Sequence, residues 1–225
     1  MSTLVDAVRT ELKRAADPAK APEMQRYMKS EMPFRGVAKP ERAALAKKLF
    51  ASYVMSDVDE LRATALELWR DAEYREERYV AIDLTGDRRY KQWQTKDLLP
   101  MYDEMIVTGA WWDFVDEVAI RRVGPILLMQ WDEVVPIIRA WATDEDLWRR
   151  RTSVICQVGA KTEVDTELLA ETIEANINDK DFFLRKGIGW ALRQHSKVDT
   201  AWVRTFVSTH PDLSPLSRKE AAKYL

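Results

Sequence analysis

In the stretch Gly109-Ala110-Trp111-Trp112-Asp113-Phe114-Val115-Asp116 an indole and a carboxylate stand four residues apart. A helix puts Trp112 and Asp116 on one face, one turn from each other. An indole face and a carboxylate both attract positive charge, so the pair suits a reaction in which a cation develops on the substrate. Trp111 and Val115 share the adjacent face and are expected in the core. Further along, Arg149-Arg150-Arg151 opens another predicted helix, and three adjacent guanidinium groups without neighbouring acids on every side suit phosphate. Trp190 is a third aromatic that core packing explains less readily. Other chemistries lack their residues. Cys156 is the single cysteine and sits in an apolar run, where it reads as a buried thiol. His195 and His210 have no Cys or acidic partners at metal-ligand spacing, and no Gly-rich phosphate loop is present. No metal or cofactor is expected.

The elements that must position these residues are helices. Leu4, Val5, Val8, Leu12 and Ala15 form one apolar stripe, Val58, Leu61, Ala65, Leu68 and Trp69 a second, and Val134, Ile137, Ile138 and Trp141 a third. Ser2, Asp57 and Asp132 are the expected caps, Pro40 takes a first helical position, and Pro136 falls in a first turn. Only 7 glycines are present, against a strand-and-turn architecture. Short breaks at 33–36, 108–110, 159–162 and 211–215 separate about a dozen helices, with no linker to divide domains. With 225 residues and 46% hydrophobic content, a single domain over 1–225 is expected. The sequence has neither an apolar run of membrane-spanning length nor a signal-like amino terminus, so a cytoplasmic, monomeric protein is expected. Lys and Arg number 35 against 37 Asp and Glu. Any nucleic-acid surface must therefore come from local clustering of basic residues.

Three segments are versions of one another: Asp71 to Arg75, Asp146 to Arg151 and Asp181 to Lys186. Each puts an acid at a predicted helix start, an aromatic soon after, and then basic residues. This is the pattern of HEAT-type repeats, stacked helix pairs that build a solenoid with a concave binding face.

The segments 26–29, 39–42, 108–113, 187–193 and 215–221 resemble those of the AlkD family of bacterial alkylpurine DNA glycosylases, over nearly the full chain. The most specific element of the resemblance is the set Trp112, Asp116, Arg151 and Trp190. It implies an all-α, HEAT-like solenoid that holds duplex DNA in its concave face and excises cationic N3- and N7-alkylated purines without flipping the base. Within it, Asp116 is expected to face the sugar cation and water, Trp112 and Trp190 to pack on the deoxyribose, and Arg151 to hold a backbone phosphate. Further DNA contacts are expected from Tyr27, Lys29, Arg35, Lys39, Arg42, Arg149, Arg150, Arg193, Arg218 and Lys219. Phe182 and Phe183 also match the family. Two alternatives share the fold: a non-catalytic HEAT scaffold, and a DNA-binding protein that recognises lesions or branched structures without cleaving them.

Overall fold

The computed structural model describes residues 3–224, and among them there is no β-strand. Fourteen α-helices follow one another: α1 (Leu4–Arg14), α2 (Ala21–Met28), α3 (Lys39–Ser52), α4 (Val58–Arg70), α5 (Arg75–Thr85), α6 (Leu99–Gly109), α7 (Trp112–Val118), α8 (Gly124–Met129), α9 (Trp131–Ala142), α10 (Leu147–Ile155), α11 (Thr166–Glu174), α12 (Phe182–His195), α13 (Thr200–Thr209) and α14 (Pro215–Ala221). None is long and apolar enough to cross a membrane. The helices pack as two compact units that divide between Trp93 and Gln94.

In the first unit the predicted stripes are the core. Val5, Val8 and Leu12 of α1 and Leu61, Ala65, Leu68 and Trp69 of α4 are buried, together with Val80 and Ala81 of α5. Asp57 caps α4 by accepting the Glu60 amide at 2.8 Å, a contact worth about 1 kcal/mol. The cap of α1 is Thr3, paired reciprocally with Asp6; the expected cap Ser2 lies outside the described residues. Buried Glu76 accepts the backbone amides of Arg35, Gly36 and Val37. At Gly36 φ is +84°, and a Cβ there would lie 2.1 Å from the Asp17 carbonyl oxygen. That turn can only be glycine.

In the second unit the repeat is visible in the helix starts. Trp111, Asp146 and Asp181 are the N-caps of α7, α10 and α12, each 35 positions after the last. Asp146 accepts the amides of Trp148 and Arg149, and Asp181 those of Phe183 and Leu184. The turns before them also match: the Asp146 amide binds the Asp144 carboxylate at 2.8 Å and the Asp181 amide binds that of Asp179 at 2.7 Å. The first predicted copy departs from this. Asp71 ends α4, its amide still bonded to Glu67, and Tyr74 opens α5 without a side-chain cap. Two local expectations also shift, because α9 starts at Trp131, after Gln130. Asp132 is thereby in the first turn, not at the cap, and Pro136 lies inside the helix, where its ring nitrogen has no hydrogen to donate to the preceding turn.

Candidate active site

Trp112, Asp116, Arg151 and Trp190 all fall in the second unit. Ala110, in left-handed backbone at φ 42°, turns the chain out of α6, and Trp111 takes the extended cap conformation that starts α7. The Trp111 ring then packs on Phe183 at 5.1 Å and Trp148 at 6.4 Å between centroids. With Phe114 and Val115 buried, this face of α7 is anchored, and Trp112 and Asp116 take the other, both half-buried. A π-helical turn, Ala119–Val123, follows.

Asp116 meets Arg151 in a two-pronged ion pair. The Arg151 Nε donates to Asp116 Oδ1 at 2.8 Å and Nη2 to Oδ2 at 2.9 Å, while Nη1 donates to the Phe183 carbonyl. The Arg151 side chain is 4% exposed and that of Asp116 17%. The two residues are each the fifth after their helix cap, so they occupy the same place in consecutive repeats. On the far side Arg151 lies against Gly187 of α12, where a Cβ would stand 3.0 Å from Nη1. Trp190 is three residues further, on the same face of α12, and packs partly into the core of the unit. The pair therefore sits against the helix that carries Trp190. Burial raises the Asp116 carboxyl above its ordinary value, with the Arg151 hydrogen bonds and charge opposing that shift and the charge of Asp113 adding to it.

The arrangement fixes a carboxylate in orientation and leaves each oxygen with acceptor capacity beyond its one guanidinium bond. It also corrects the expectation for Arg151, whose guanidinium is spent on Asp116 and Phe183 and has almost no surface for a phosphate. The neighbouring arginines also have acidic or carbonyl partners, though their side chains are 30% and 19% exposed. Arg149 binds both oxygens of Asp103 at 2.7 Å and reaches Asp144. Arg150 binds the Asp144 and Glu145 carbonyls and Asp179. Their acidic partners come from α6, which carries Asp103, and from the turns before α10 and α12.

Several expected DNA contacts are likewise occupied. Arg42 is buried, bonded to Asp83 at 3.2 Å and lying over Tyr79. Arg35 lies 3.7 Å from the Tyr74 ring centroid, with its side chain 12% exposed. Arg218 donates to three carbonyls, of Val207, His210 and Leu213, and so closes the end of α13. Arg193 binds Glu220 at 2.5 Å. Tyr27, Lys29, Lys39 and Lys219 remain exposed. Sequence reasoning passed over Lys186 and Lys223, which join Arg193 on Glu220; Lys186 stands 35 positions after Arg151, and that spacing was the available signal. Cys156 is buried and its thiol is pushed up to about 12 by that burial, which removes it as a nucleophile.

Residues 8–225 match the family described as DNA alkylation repair enzyme. A solved structure described as a predicted DNA alkylation repair enzyme from Enterococcus faecalis superposes with a TM-score of 0.81 at 30% identity, covering 93% of this chain and 96% of that one. The smu.31 protein of Streptococcus mutans UA159 shares the fold, with a TM-score of 0.62 at 18% identity over 83% of this chain and 92% of its own. A comparison with curated proteins finds no match. By the match across nearly its whole length, the chain belongs to the DNA alkylation repair enzyme family.

Proposed function

We propose that this protein is a monofunctional DNA glycosylase that hydrolyses the N-glycosidic bond of cationic N3- and N7-alkylated purines in duplex DNA, without flipping the base, and leaves an abasic site. The observation that carries the reading is the Asp116 carboxylate, gripped by Arg151 through both oxygens and one helical turn from Trp112. An alkylated purine is already positively charged. When the bond from C1′ to the base breaks, its electron pair neutralises the purine and the positive charge passes to the sugar. Asp116 is assigned to that oxocarbenium ion and to the attacking water, whose proton leaves through the carboxylate or solvent. Trp112 and Trp190 are assigned to the deoxyribose, where each cation–π contact adds about 0.5–2 kcal/mol.

Arg151 is assigned to Asp116. Its fork fixes the carboxylate and opposes the effect of burial, which would otherwise favour the uncharged acid. A duplex containing N7-methylguanine, incubated with the protein and assayed for abasic sites, tests the reaction. Abasic sites formed by the wild type and lost in Asp116→Asn are the expected result. Tight binding with no base release would assign the chain to lesion recognition without cleavage.

A further inference from the structure

Glu220, on α14, is 4% exposed and collects three cations. Lys186 Nζ stands 2.6 Å from Oε1, Arg193 Nη1 2.5 Å from Oε2, and Lys223 Nζ 2.9 Å from Oε2. One cation neutralises a buried carboxylate; three leave a local excess of two positive charges, in a chain whose net charge is -2. Such an excess, partly exposed on Lys186 and Lys223, attracts an anion. The helices press together to make the cluster: a Cβ on Gly189 would lie 2.5 Å from Glu220 Cβ and 2.8 Å from the Ser217 carbonyl oxygen.

The cluster's place is as informative as its charge. Lys186, Trp190 and Arg193 are spaced four and three apart, so they share one face of α12. Lys186 is also the fifth residue after the α12 cap and continues the row of Asp116 and Arg151. Of the three cations Arg193 is the innermost, with its side chain 19% exposed, whereas those of Lys186 and Lys223 are 42% and 47% exposed. An ammonium carries three donors, and Lys186 spends one on Glu220.

We infer that Lys186 and Lys223, held in place by Glu220, seat a backbone phosphate of duplex DNA beside the deoxyribose assigned to Trp190. This rests on the reading of the chain as an enzyme of duplex DNA. Arg193 is the inner anchor of the seat, and Glu220 is a positioning residue that touches no DNA.

The test is the salt dependence of binding to an undamaged duplex. Wild type is expected to show log affinity falling linearly with log salt, and Lys186→Ala/Lys223→Ala to lower that slope by about one, for the single phosphate lost. Glu220→Gln removes a negative charge, so simple long-range electrostatics requires tighter binding. The seat requires the opposite, because the lysines are released, and a several-fold weakening is expected. An unchanged slope in the double lysine variant, or tighter binding by folded Glu220→Gln, would overturn the seat alone. Should Glu220→Gln fail to fold, the exposed lysine pair still decides. Wild-type binding indifferent to salt would overturn the duplex-DNA reading together with the seat.

Discussion

Asp116 and Arg151 stand 35 positions apart, each the fifth residue after its helix cap, and face each other across adjacent helices with two hydrogen bonds of 2.8 and 2.9 Å. A repeat that stacks equivalent positions side by side has here placed opposite charges in register. The pair is nearly neutral as a whole, so its action on a substrate cation depends on which end the substrate meets. The carboxylate is the more exposed end, at 17% against 4% for the guanidinium side chain.

Arg151 separates a positioning role from a phosphate role. Arg151→Lys keeps the charge but cannot reproduce the fork, and a point-like ammonium does not replace a planar guanidinium in a two-pronged bond. It is expected to lower the rate of N7-methylguanine release by at least tenfold and to leave the salt slope of DNA binding unchanged. Arg151→Ala, which strands a buried carboxylate, is expected to cost about 3–5 kcal/mol of stability and to show it as a lowered Tm. A slope lower by one in Arg151→Lys, with the release rate intact, would return the arginine to the phosphate.

The pH dependence follows from the burial of Asp116. The carboxyl is raised above the ordinary 3.8, burial being the largest cause. A raised pKa means that protonation, and with it loss of the negative charge, begins at a higher pH on acidification. Release of N7-methylguanine is therefore expected to be constant near neutrality and to fall on the acid side above the pH expected for a free aspartate. In Arg151→Lys the limb is expected to move further up, since the bonds that oppose burial are weakened. A pH–rate profile under single-turnover conditions reads both shifts.

How much of this was legible follows from distance along the chain. Trp112 and Asp116 are one turn apart, so their shared face is a property of any helix over that stretch. Leu61, Ala65 and Leu68 were readable as core for the same reason. The pairing of Asp116 with Arg151 is tertiary, and only the 35-residue spacing of the helix starts contained it. The partners of Arg149 and Arg150 were not legible, because Asp103 on α6 and Asp179 before α12 reach them from far along the chain. Asp71 shares the local pattern of Asp146 and Asp181 but stands at the end of α4, where the preceding helix claims its amide. The pattern there is the same and the phase is not.

Gly187 supplies a more delicate test of the same geometry. An added methyl would lie 3.0 Å from Arg151 Nη1 and 3.3 Å from Ile155 Cγ2. The guanidinium is tied on both sides, to Asp116 and to the Phe183 carbonyl, so it can yield only by moving Asp116 with it. Gly187→Ala is expected to slow base release several-fold and to shift the acid limb upward, while binding of undamaged duplex and its salt slope stay at the wild-type value. A wild-type pH–rate profile in this variant would show that the guanidinium adjusts without disturbing the carboxylate.

The last prediction concerns the charge of the leaving group. Both Asp116 oxygens accept guanidinium hydrogen bonds, an arrangement that holds the group as an acceptor and opposes its acting as an acid. A purine that carries a positive charge leaves without being protonated, so this site suffices for it. Uracil is neutral and departs with negative charge on the base, which requires a proton or strong donors that the site assigns to nothing. N7-methylguanine is therefore expected to be released from duplex DNA and uracil at least a hundredfold more slowly. Asp116→Asn should bind duplex almost normally yet lose on the order of a hundredfold in N7-methylguanine release, corresponding to about 3 kcal/mol at the transition state. Paired single-turnover assays on duplexes that differ only in the lesion measure both. Comparable rates for uracil and N7-methylguanine would mean that the base is activated by an acid, and a full rate in Asp116→Asn would mean that the sugar cation is stabilised by another group.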